Sequence, residues 1–146
     1  MLNQIICEQL AYQPEFPETR LLIAEVLASS SDNVFVCVDE GIAVGFIHIT
    51  TYRIFLVGVA INIMGLAVSS DYQHQGIGRE LMQLVEDDAR KRSIHTIRLN
   101  SGIEREDAHR FYQKLGRSVD KTQFRLSKHF TWKSNEEFEH ATVDIE

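Results

Sequence analysis

Two glycines one residue apart stand where an apolar stretch gives way to a helical pattern. The stretch reads GLAVSSDYQHQGIGRELMQLVEDDARKRS over residues 65–93, and the glycines are Gly76 and Gly78. Unpaired N–H groups at a helix start point the same way and bind anions. Glycine lets the backbone approach the anion closely, and it would also permit a left-handed backbone at Gly78. Residues 73–79 are therefore predicted to bind a phosphate or pyrophosphate. A plain helix-entry loop is the alternative that the glycines alone leave open.

Two widespread nucleotide-binding motifs do not fit this turn. The Rossmann fingerprint GxGxxG requires a third glycine at position 81, where the chain has Leu81. The Walker pattern GxxxxGK(S/T) does not occur in the sequence. These two differences disfavour a dinucleotide-binding enzyme and a nucleotide triphosphatase.

Composition is typical of a single globular domain outside the membrane. The chain has 146 residues, of which 44% are hydrophobic and 25% charged. No run approaches the ~20 apolar residues of a membrane-spanning helix. The N-terminus MLNQIICEQL lacks the features of a signal peptide. Cys7 and Cys37, without CxxC spacing, favour a reducing, cytoplasmic location.

The charge balance limits the class of partner. Lys and Arg number 15 against 21 Asp and Glu, which gives a net charge of −6. A negative surface repels phosphate backbones, so nucleic acid is not expected as a partner. A cationic small molecule is compatible with this charge. No metal site is predicted.

Hydrophobic periodicity predicts the elements that position the turn. Helices are expected over residues 2–13, 18–30, 79–93 and 105–116, and strands over 34–52 (a hairpin), 57–68, 94–100 and 122–130. The hairpin turns at Glu40–Gly41, and Gly116 ends the last helix. This order predicts a mixed α/β domain in which an antiparallel hairpin leads into a parallel crossover.

Three motifs in this order resemble the GNAT family of N-acetyltransferases. LAVSSDYQHQGIGRELM resembles the acyl-CoA-binding motif Q/R-x-x-G-x-G/A that follows a strand in the family, with Gln73, Gly76 and Gly78 at its positions. LNSGIEREDAHRFYQKLG resembles the next strand and helix, and VFVCVDEGIAVGFIHI resembles the β-hairpin. The resemblance covers roughly residues 2 to 128 and is nearest to the bacterial small-molecule branch.

The resemblance implies a single GNAT-type α/β domain over residues 1–130 and an acidic C-terminal tail over 131–146. Its sheet is mixed and mostly antiparallel, splays at the acetyl-CoA site and is flanked by helices. Relatives usually begin with a strand, whereas this chain begins in a helical pattern, so the first family strand is expected to be missing. ATVDIE at residues 141–146, from its own chain or from the mate in a homodimer, is a candidate to fill that vacant edge, and a disordered tail is the alternative.

The resemblance also implies the site residues, with acetyl-CoA as cosubstrate. The backbone of Leu66, Ala67 and Val68 would pair with the pantetheine arm as an added strand. Gln73 fills the first motif position, and the pyrophosphate would lie on the amides of His74, Gln75, Gly76, Ile77, Gly78 and Arg79. Asn100 lies where the two parallel strands separate, and Tyr112 is the catalytic acid for the departing thiolate. A tyrosine packed in the core is the structural alternative for Tyr112.

The base that deprotonates the amine has no assigned residue. Many relatives place a glutamate where this chain has Gly65. His48 on the hairpin and a water held by Asn62 are candidates, and a histidine with only a structural role is the alternative for His48.

The function implied by the resemblance is N-acetyl transfer. The acetyl group would move from acetyl-CoA to a primary amine of a small molecule by direct attack, through a tetrahedral intermediate. Two alternatives remain open: a degenerate member that binds acetyl-CoA without turnover, and a protein N-acetyltransferase.

Overall fold

The computed structural model describes residues 19–130. The helix predicted over residues 2–13, the first family strand and the tail over 131–146 with its candidate strand lie outside the described residues.

Three α-helices and four β-strands form within residues 19–130. They are α1 (Thr19–Ala28), β1 (Asp32–Asp39), β2 (Ile42–Ile54), β3 (Gly58–Val68), α2 (Ile77–Lys91), β4 (Ile97–Leu99) and α3 (Glu106–Lys114). A short 3-10 turn at Ser70–Tyr72 connects β3 to α2. None of the helices in this part of the chain is long and apolar enough to cross a membrane.

The four strands form one sheet in the order β1-β2-β3-β4. β1 pairs with β2 and β2 with β3 in antiparallel fashion, whereas β3 and β4 are parallel. The hairpin turns at Glu40 and Gly41, whose φ angles of 46° and 84° are both left-handed, as a two-residue hairpin turn of the common type requires. The predicted hairpin and its turn are therefore confirmed.

The parallel pairing of β3 and β4 is short. It joins Ile61, Asn62 and Ile63 to Ile97, Arg98 and Leu99. β3 continues to Val68 while β4 ends at Leu99, so the second half of β3 has no β4 partner. The predicted mixed sheet, splayed between its two parallel strands and flanked by helices, is thus confirmed.

The hydrophobic core lies between the sheet and one face of α2. Buried isoleucines of β2 and β3 pack against buried side chains of the helix, namely Ile47, Ile49, Ile61, Ile63, Leu81, Met82, Val85 and Ala89. The helical members recur every three to four residues, which places them on one face. Because α2 packs across β1, β2 and β3, its first turn is fixed beside the end of β3.

A bulge in β3 sets which side chains reach this core. His48 pairs with Gly65 but Ile49 pairs with Ile63, so Met64 is the extra residue. Side chains alternate along a strand, and the extra residue is what allows both Ile63 and Leu66 to face the core side. The bulge also increases local twist at the point where β3 leaves β4.

The strand predicted over residues 122–130 is wrong. Residues 117–130 contain no regular secondary structure, and Phe124 and Leu126 are 96% and 91% exposed. An alternating sequence becomes a strand only when its N–H and C=O groups find a paired neighbour. None of the strands in the described part of the chain, β1 to β4, pairs with this segment.

Candidate active site

The first turn of α2 presents unpaired N–H groups. Gly76 precedes the helix with φ 89° and ψ −5°, and the first intrahelical bond runs from the Glu80 N–H to the Gly76 carbonyl at 3.0 Å. The N–H groups of Ile77, Gly78 and Arg79 therefore have no partner within the helix. His74 is also left-handed, with φ 61°, so the loop alternates its backbone as anion-binding loops do. This arrangement suits a phosphate or pyrophosphate.

The two motif glycines serve different physical needs. Gly76 has the left-handed φ, and a Cβ built there would meet nothing within 4 Å. Gly78 lies in the helix, and the left-handed backbone considered for it is found at Gly76 instead. A Cβ on Gly78 would lie 3.2 Å from Cζ of Phe111 on α3. Gly78 therefore lets α3 approach α2 closely.

Side chains on either side of the loop fix its position. The Gln73 side-chain amide donates to the Val68 carbonyl at 3.2 Å, and that of Gln75 donates to the Asp71 carbonyl at 3.0 Å. The Tyr72 hydroxyl donates to the Asp39 carboxylate at 2.9 Å, and this hydrogen bond raises the pKa of Tyr72. The loop is thus tied to the ends of both β3 and β1.

The free edge of β3 borders the gap left by β4. The Ser69 N–H donates to the Val44 carbonyl at 2.8 Å, toward β2. Hydrogen-bonding direction alternates along a strand, so Ala67 also faces β2 and pairs with Phe46. Leu66 and Val68 face the opposite way, into the gap. Three residues are predicted to pair with the pantetheine arm. Leu66 and Val68 direct their backbone groups into the gap, whereas Ala67 does not.

On the side opposite β3, the gap is bordered by the residues that follow β4. Asn100 directly follows Leu99, the last residue paired with β3, and Asn100 is exposed. It therefore lies at the mouth of the gap, as expected for a residue at the point of separation.

Tyr112 lies on α3 with its ring half-buried against the core. It meets the ring of Phe111 edge to face, with centroids 5.2 Å apart. Burial raises the pKa of Tyr112, and the charges of Arg105 and Arg117 partly oppose this. Tyrosine is protonated at neutral pH, and the raised pKa maintains that state, in which the hydroxyl can donate a proton. Its hydroxyl makes no hydrogen bond to another residue within 19–130.

An ion pair joins the end of α3 to α2. Gly116, with φ 80°, ends the helix, and the Arg117 N–H donates to the Tyr112 carbonyl at 3.0 Å. The Arg117 guanidinium contacts the Glu86 carboxylate at 3.0 Å. Arg117 therefore fixes the helix turn that carries Tyr112.

A histidine–aspartate pair lies on the sheet beside Gly65. His48 Nε2 is 2.8 Å from Asp32 Oδ1, and the two side chains are only 21% and 18% exposed. The Ser29 hydroxyl donates to Asp32 Oδ2 at 2.6 Å. These hydrogen bonds, first from Ser29 and then from His48, lower the pKa of Asp32.

The sequence prediction named His48 but missed Asp32. The signal lies in the hairpin register, where His48 pairs with Val34 and Asp32 pairs with Thr50. Asp32 and His48 are thus diagonal neighbours on one face, within reach of long side chains. This pairing depends on a register shift between Cys37 and Val38, so counting pairs outward from the Glu40–Gly41 turn alone would have placed Asp32 and His48 on opposite faces.

No group of three or more His, Cys, Asp or Glu side chains that could hold a metal ion occurs in the part of the chain that the structure describes.

Comparison with known proteins identifies the class to which this fold and site belong. The family model described as "Acetyltransferase (GNAT) family" matches residues 2–116. The chain therefore belongs to the GNAT acetyltransferase family, and the resemblance seen in the motifs is confirmed.

One curated relative and two solved structures illustrate the similarity. "Uncharacterized N-acetyltransferase YhdJ" of Bacillus subtilis (strain 168) is 36% identical over 64 residues, which cover 43% of this chain and 45% of that protein. The match thus spans less than half the length of this relative.

The ribosomal-protein-alanine N-acetyltransferase from Brucella melitensis biovar Abortus 2308 has a TM-score of 0.72 at 19% identity, covering 86% of this chain and 93% of that one. AAC(6')-Iy in complex with the bisubstrate analog CoA-S-monomethyl-acetylneamine has a TM-score of 0.73 at 14% identity, covering 88% and 90%. At these identities the two structures show a shared fold.

Proposed function

We propose that the protein transfers the acetyl group of acetyl-CoA to a primary amine of a small molecule. The observation that carries this proposal is the free edge of β3. Leu66 and Val68 face the gap left by β4, immediately before a loop that ends in free helix N–H groups. Membership of the GNAT family supports acetyl-CoA as the cosubstrate. The neighbour solved with a CoA-containing bisubstrate analog supports the same cosubstrate class.

Acetyl-CoA has chemical groups that match each part of this surface. The amides of its pantetheine arm would pair with the backbone of Leu66 and Val68 in the manner of an added strand. Its pyrophosphate would accept from the N–H groups of Ile77, Gly78 and Arg79. The open space around Gly76, where a Cβ would meet nothing within 4 Å, leaves the loop accessible to such a ligand.

The chemistry requires three groups around the thioester. The amine must be neutral, the carbonyl oxygen needs a donor as it gains charge, and the thiolate must be protonated. A backbone N–H near Val68 faces the gap and would act as the oxyanion donor. Tyr112, a phenol that is protonated at neutral pH, would supply the proton to the thiolate.

A small cationic amine suits the charge of the chain. The net charge of −6 attracts cations, and the neighbour AAC(6')-Iy was solved with an acetylneamine-containing analog. The absence of a carboxylate at Gly65 favours the second candidate function, a member that binds acetyl-CoA without turnover. The Brucella neighbour's name, a ribosomal-protein-alanine N-acetyltransferase, favours a third function, acetylation of a protein.

Calorimetry with acetyl-CoA and a thiol-release assay separate these functions. The amine panel should contain polyamines, an aminoglycoside, amino acids and peptides with a free N-terminus or a lysine. We expect acetyl-CoA to bind and CoA to be released fastest with a small amine. Binding without release on any amine would support the non-catalytic function, and release only with peptides would support protein acetylation. A folded protein that does not bind acetyl-CoA would rule out all three.

A further inference from the structure

We infer that His48, oriented by Asp32, is the base that removes a proton from the attacking amine. This inference rests on the proposed acetyl transfer and assigns the one role in it that has no residue. It makes His48 a catalytic residue and Asp32 a positioning residue.

The position of His48 follows from the sheet register. His48 pairs with Gly65, and paired residues project from the same face of a sheet. Ile47 and Ile49, its chain neighbours, face the core, so His48 stands on the opposite face. Gly65 immediately precedes Leu66, whose backbone borders the gap. His48 therefore lies on the strand next to β3, one strand spacing of about 4.8 Å from it, and the gap lies on the other side of β3.

The absence of a side chain at Gly65 leaves that path open. The nearest heavy atom to a Cβ built on Gly65 is Cε2 of Phe46, at 3.9 Å. A larger side chain at this position would stand beside the imidazole, on the side toward the gap. With glycine, no side chain at position 65 stands between the gap edge and the histidine ring, and the Phe46 ring is the nearest side chain to this path.

Asp32 determines which nitrogen is available. Its carboxylate lies 2.8 Å from His48 Nε2, so the neutral ring donates its Nε2 proton to Asp32. Nδ1 then carries the lone pair that accepts a proton. Ser29 donates to the other carboxylate oxygen and fixes Asp32 in place. The lowered pKa of Asp32 keeps it ionised at neutral pH, where its charge stabilises the imidazolium that forms.

The other charged groups around this face leave Asp32 as the nearest partner for an imidazolium. Tyr52 lies further along β2, and Arg98 on β4 pairs with Asn62 beyond the bulge. The β3 residues on this face carry no titratable group; they are Gly58, Ala60, Asn62, Gly65 and Ala67, together with the bulged Met64, whose sulfur accepts from the Asn62 amide. Glu25 on α1, the helix that packs against β1, is exposed.

The step balances in protons and bonds. The ammonium form of the amine gives one proton to His48 Nδ1, and its lone pair then forms the C–N bond to the acetyl carbon. The C–S bond breaks with its electron pair on sulfur. A second amine proton replaces the one that Tyr112 gives to the thiolate. His48 returns its proton to solvent, so an ammonium and acetyl-CoA give an amide, CoA thiol and one proton.

His48→Gln tests this role because glutamine keeps a polar side chain in place but cannot take the proton. We expect kcat/KM with the best amine to fall on the order of 10²-fold at neutral pH, within the range of general-base contributions. The deficit should shrink as pH rises toward the pKa of the amine, because solution then supplies the neutral nucleophile. Calorimetric affinity for acetyl-CoA should be unchanged. His95→Gln, an exposed histidine before β4, is the matched control and should behave as wild type.

Two further variants keep the test decisive. Asp32→Asn should cause a smaller loss with the same pH dependence, and it serves where His48→Gln does not fold. Gly65→Glu in the His48→Gln background should restore part of the rate, because Gly65 is not left-handed and a side chain there has space. A wild-type rate in His48→Gln, or a deficit of equal size at every pH, would overturn the role of His48 while acetyl transfer stands. If the wild-type protein itself turns over no amine, both the role of His48 and the proposed acetyl transfer are wrong.

Discussion

A methyl group added to Gly76 and one added to Gly78 would meet different obstacles. At Gly76 the obstacle is the backbone, because φ 89° is a conformation that costs other residues about 1–2 kcal/mol. At Gly78 the obstacle is the Phe111 ring, whose Cζ would lie 3.2 Å from the added Cβ. One motif therefore combines a requirement of the loop with a requirement of helix packing.

Substituting these glycines should separate binding from stability. Gly76→Ala is expected to weaken acetyl-CoA binding roughly tenfold, or about 1.4 kcal/mol, because the strained loop no longer aligns its N–H groups. Gly78→Val should instead lower the unfolding free energy by about 1–3 kcal/mol through overpacking against Phe111. Calorimetry and denaturant unfolding measure the two quantities.

Gly41→Ala is the control for Gly76→Ala. Gly41 has φ 84° with nothing within 4 Å of an added Cβ, but it lies in the β1–β2 turn. It should lose a similar amount of stability and keep its affinity for acetyl-CoA. Equal affinity in all three variants would contradict the anion site at the start of α2.

Tyr112→Phe removes a hydroxyl that has no partner within the described residues and keeps the ring against Phe111. Stability and acetyl-CoA affinity should therefore change little, whereas kcat should fall on the order of 10- to 100-fold for a lost general acid. Steady-state kinetics and melting temperature report the two effects. A folded variant with an unchanged kcat would leave Tyr112 with a packing role only.

At the scale of elements, α2 is the helix on which the site depends. Its buried face packs on β2 and β3, and its first turn carries the free N–H groups. Leu81 and Leu84 belong to the same helix, but Leu81 is 2% exposed and Leu84 45%. Replacing either leucine by alanine changes helix propensity by the same amount, so a difference in stability between the two variants reports the packing of Leu81 in the core.

Leu81→Ala should reduce the unfolding free energy by about 2–5 kcal/mol, as expected when a buried leucine is truncated. Leu84→Ala makes the same chemical change at an exposed position and should cost much less. Urea unfolding of both variants is the measurement. Similar losses at the two positions would show that the core is not where the burial pattern places it.

Local sequence patterns predicted the elements whose cause is local. The apolar stripe predicted a helix over 79–93, and α2 forms at Ile77–Lys91. The Glu40–Gly41 turn fixed the hairpin, because turn chemistry acts over a few residues. The bulge at Met64 and the three-residue length of β4 depend on how distant strands pair, so no local pattern indicates them. The unformed strand over 122–130 fails for the same reason.

The candidate site was predictable to a similar extent. The position of Gly76, Tyr112 and the end of β3 followed from motif order along the chain. The different reasons for the two glycines required the distance between α2 and α3. The His48–Asp32 pair required the register of the hairpin, since its members are 16 residues apart.

At the scale of the whole molecule, two exposed apolar segments stand out within residues 19–130. One is the β2–β3 turn, where Phe55 and Leu56 are almost fully exposed. The other is the segment 117–130, in which Phe124 and Leu126 alternate as in a strand. Only the second has a strand-like pattern of apolar side chains, and no strand of the described sheet pairs with it.

We expect the protein to be a homodimer whose interface includes Phe124 and Leu126, because a strand-like segment gains pairing partners at an interface. Light scattering should give twice the chain mass for the wild type. The double variant Phe124→Ser, Leu126→Ser should dissociate, and the equally exposed Phe55→Ser, Leu56→Ser control should not. A monomeric wild type, or dissociation of the control alone, would contradict this assignment.

The alternation of backbone direction along the free part of β3 has a consequence for isotope exchange. Ala67 directs its amide to β2, whereas Leu66 and Val68 direct theirs into the gap. In deuterated water, NMR should therefore show rapid loss of the Leu66 and Val68 amide protons and slow loss of the Ala67 proton between them. Saturation with CoA should slow the two outer amides and leave the middle one unchanged. A strand in which neighbouring residues exchange alternately fast and slow would thus record, residue by residue, which edge of the sheet is occupied.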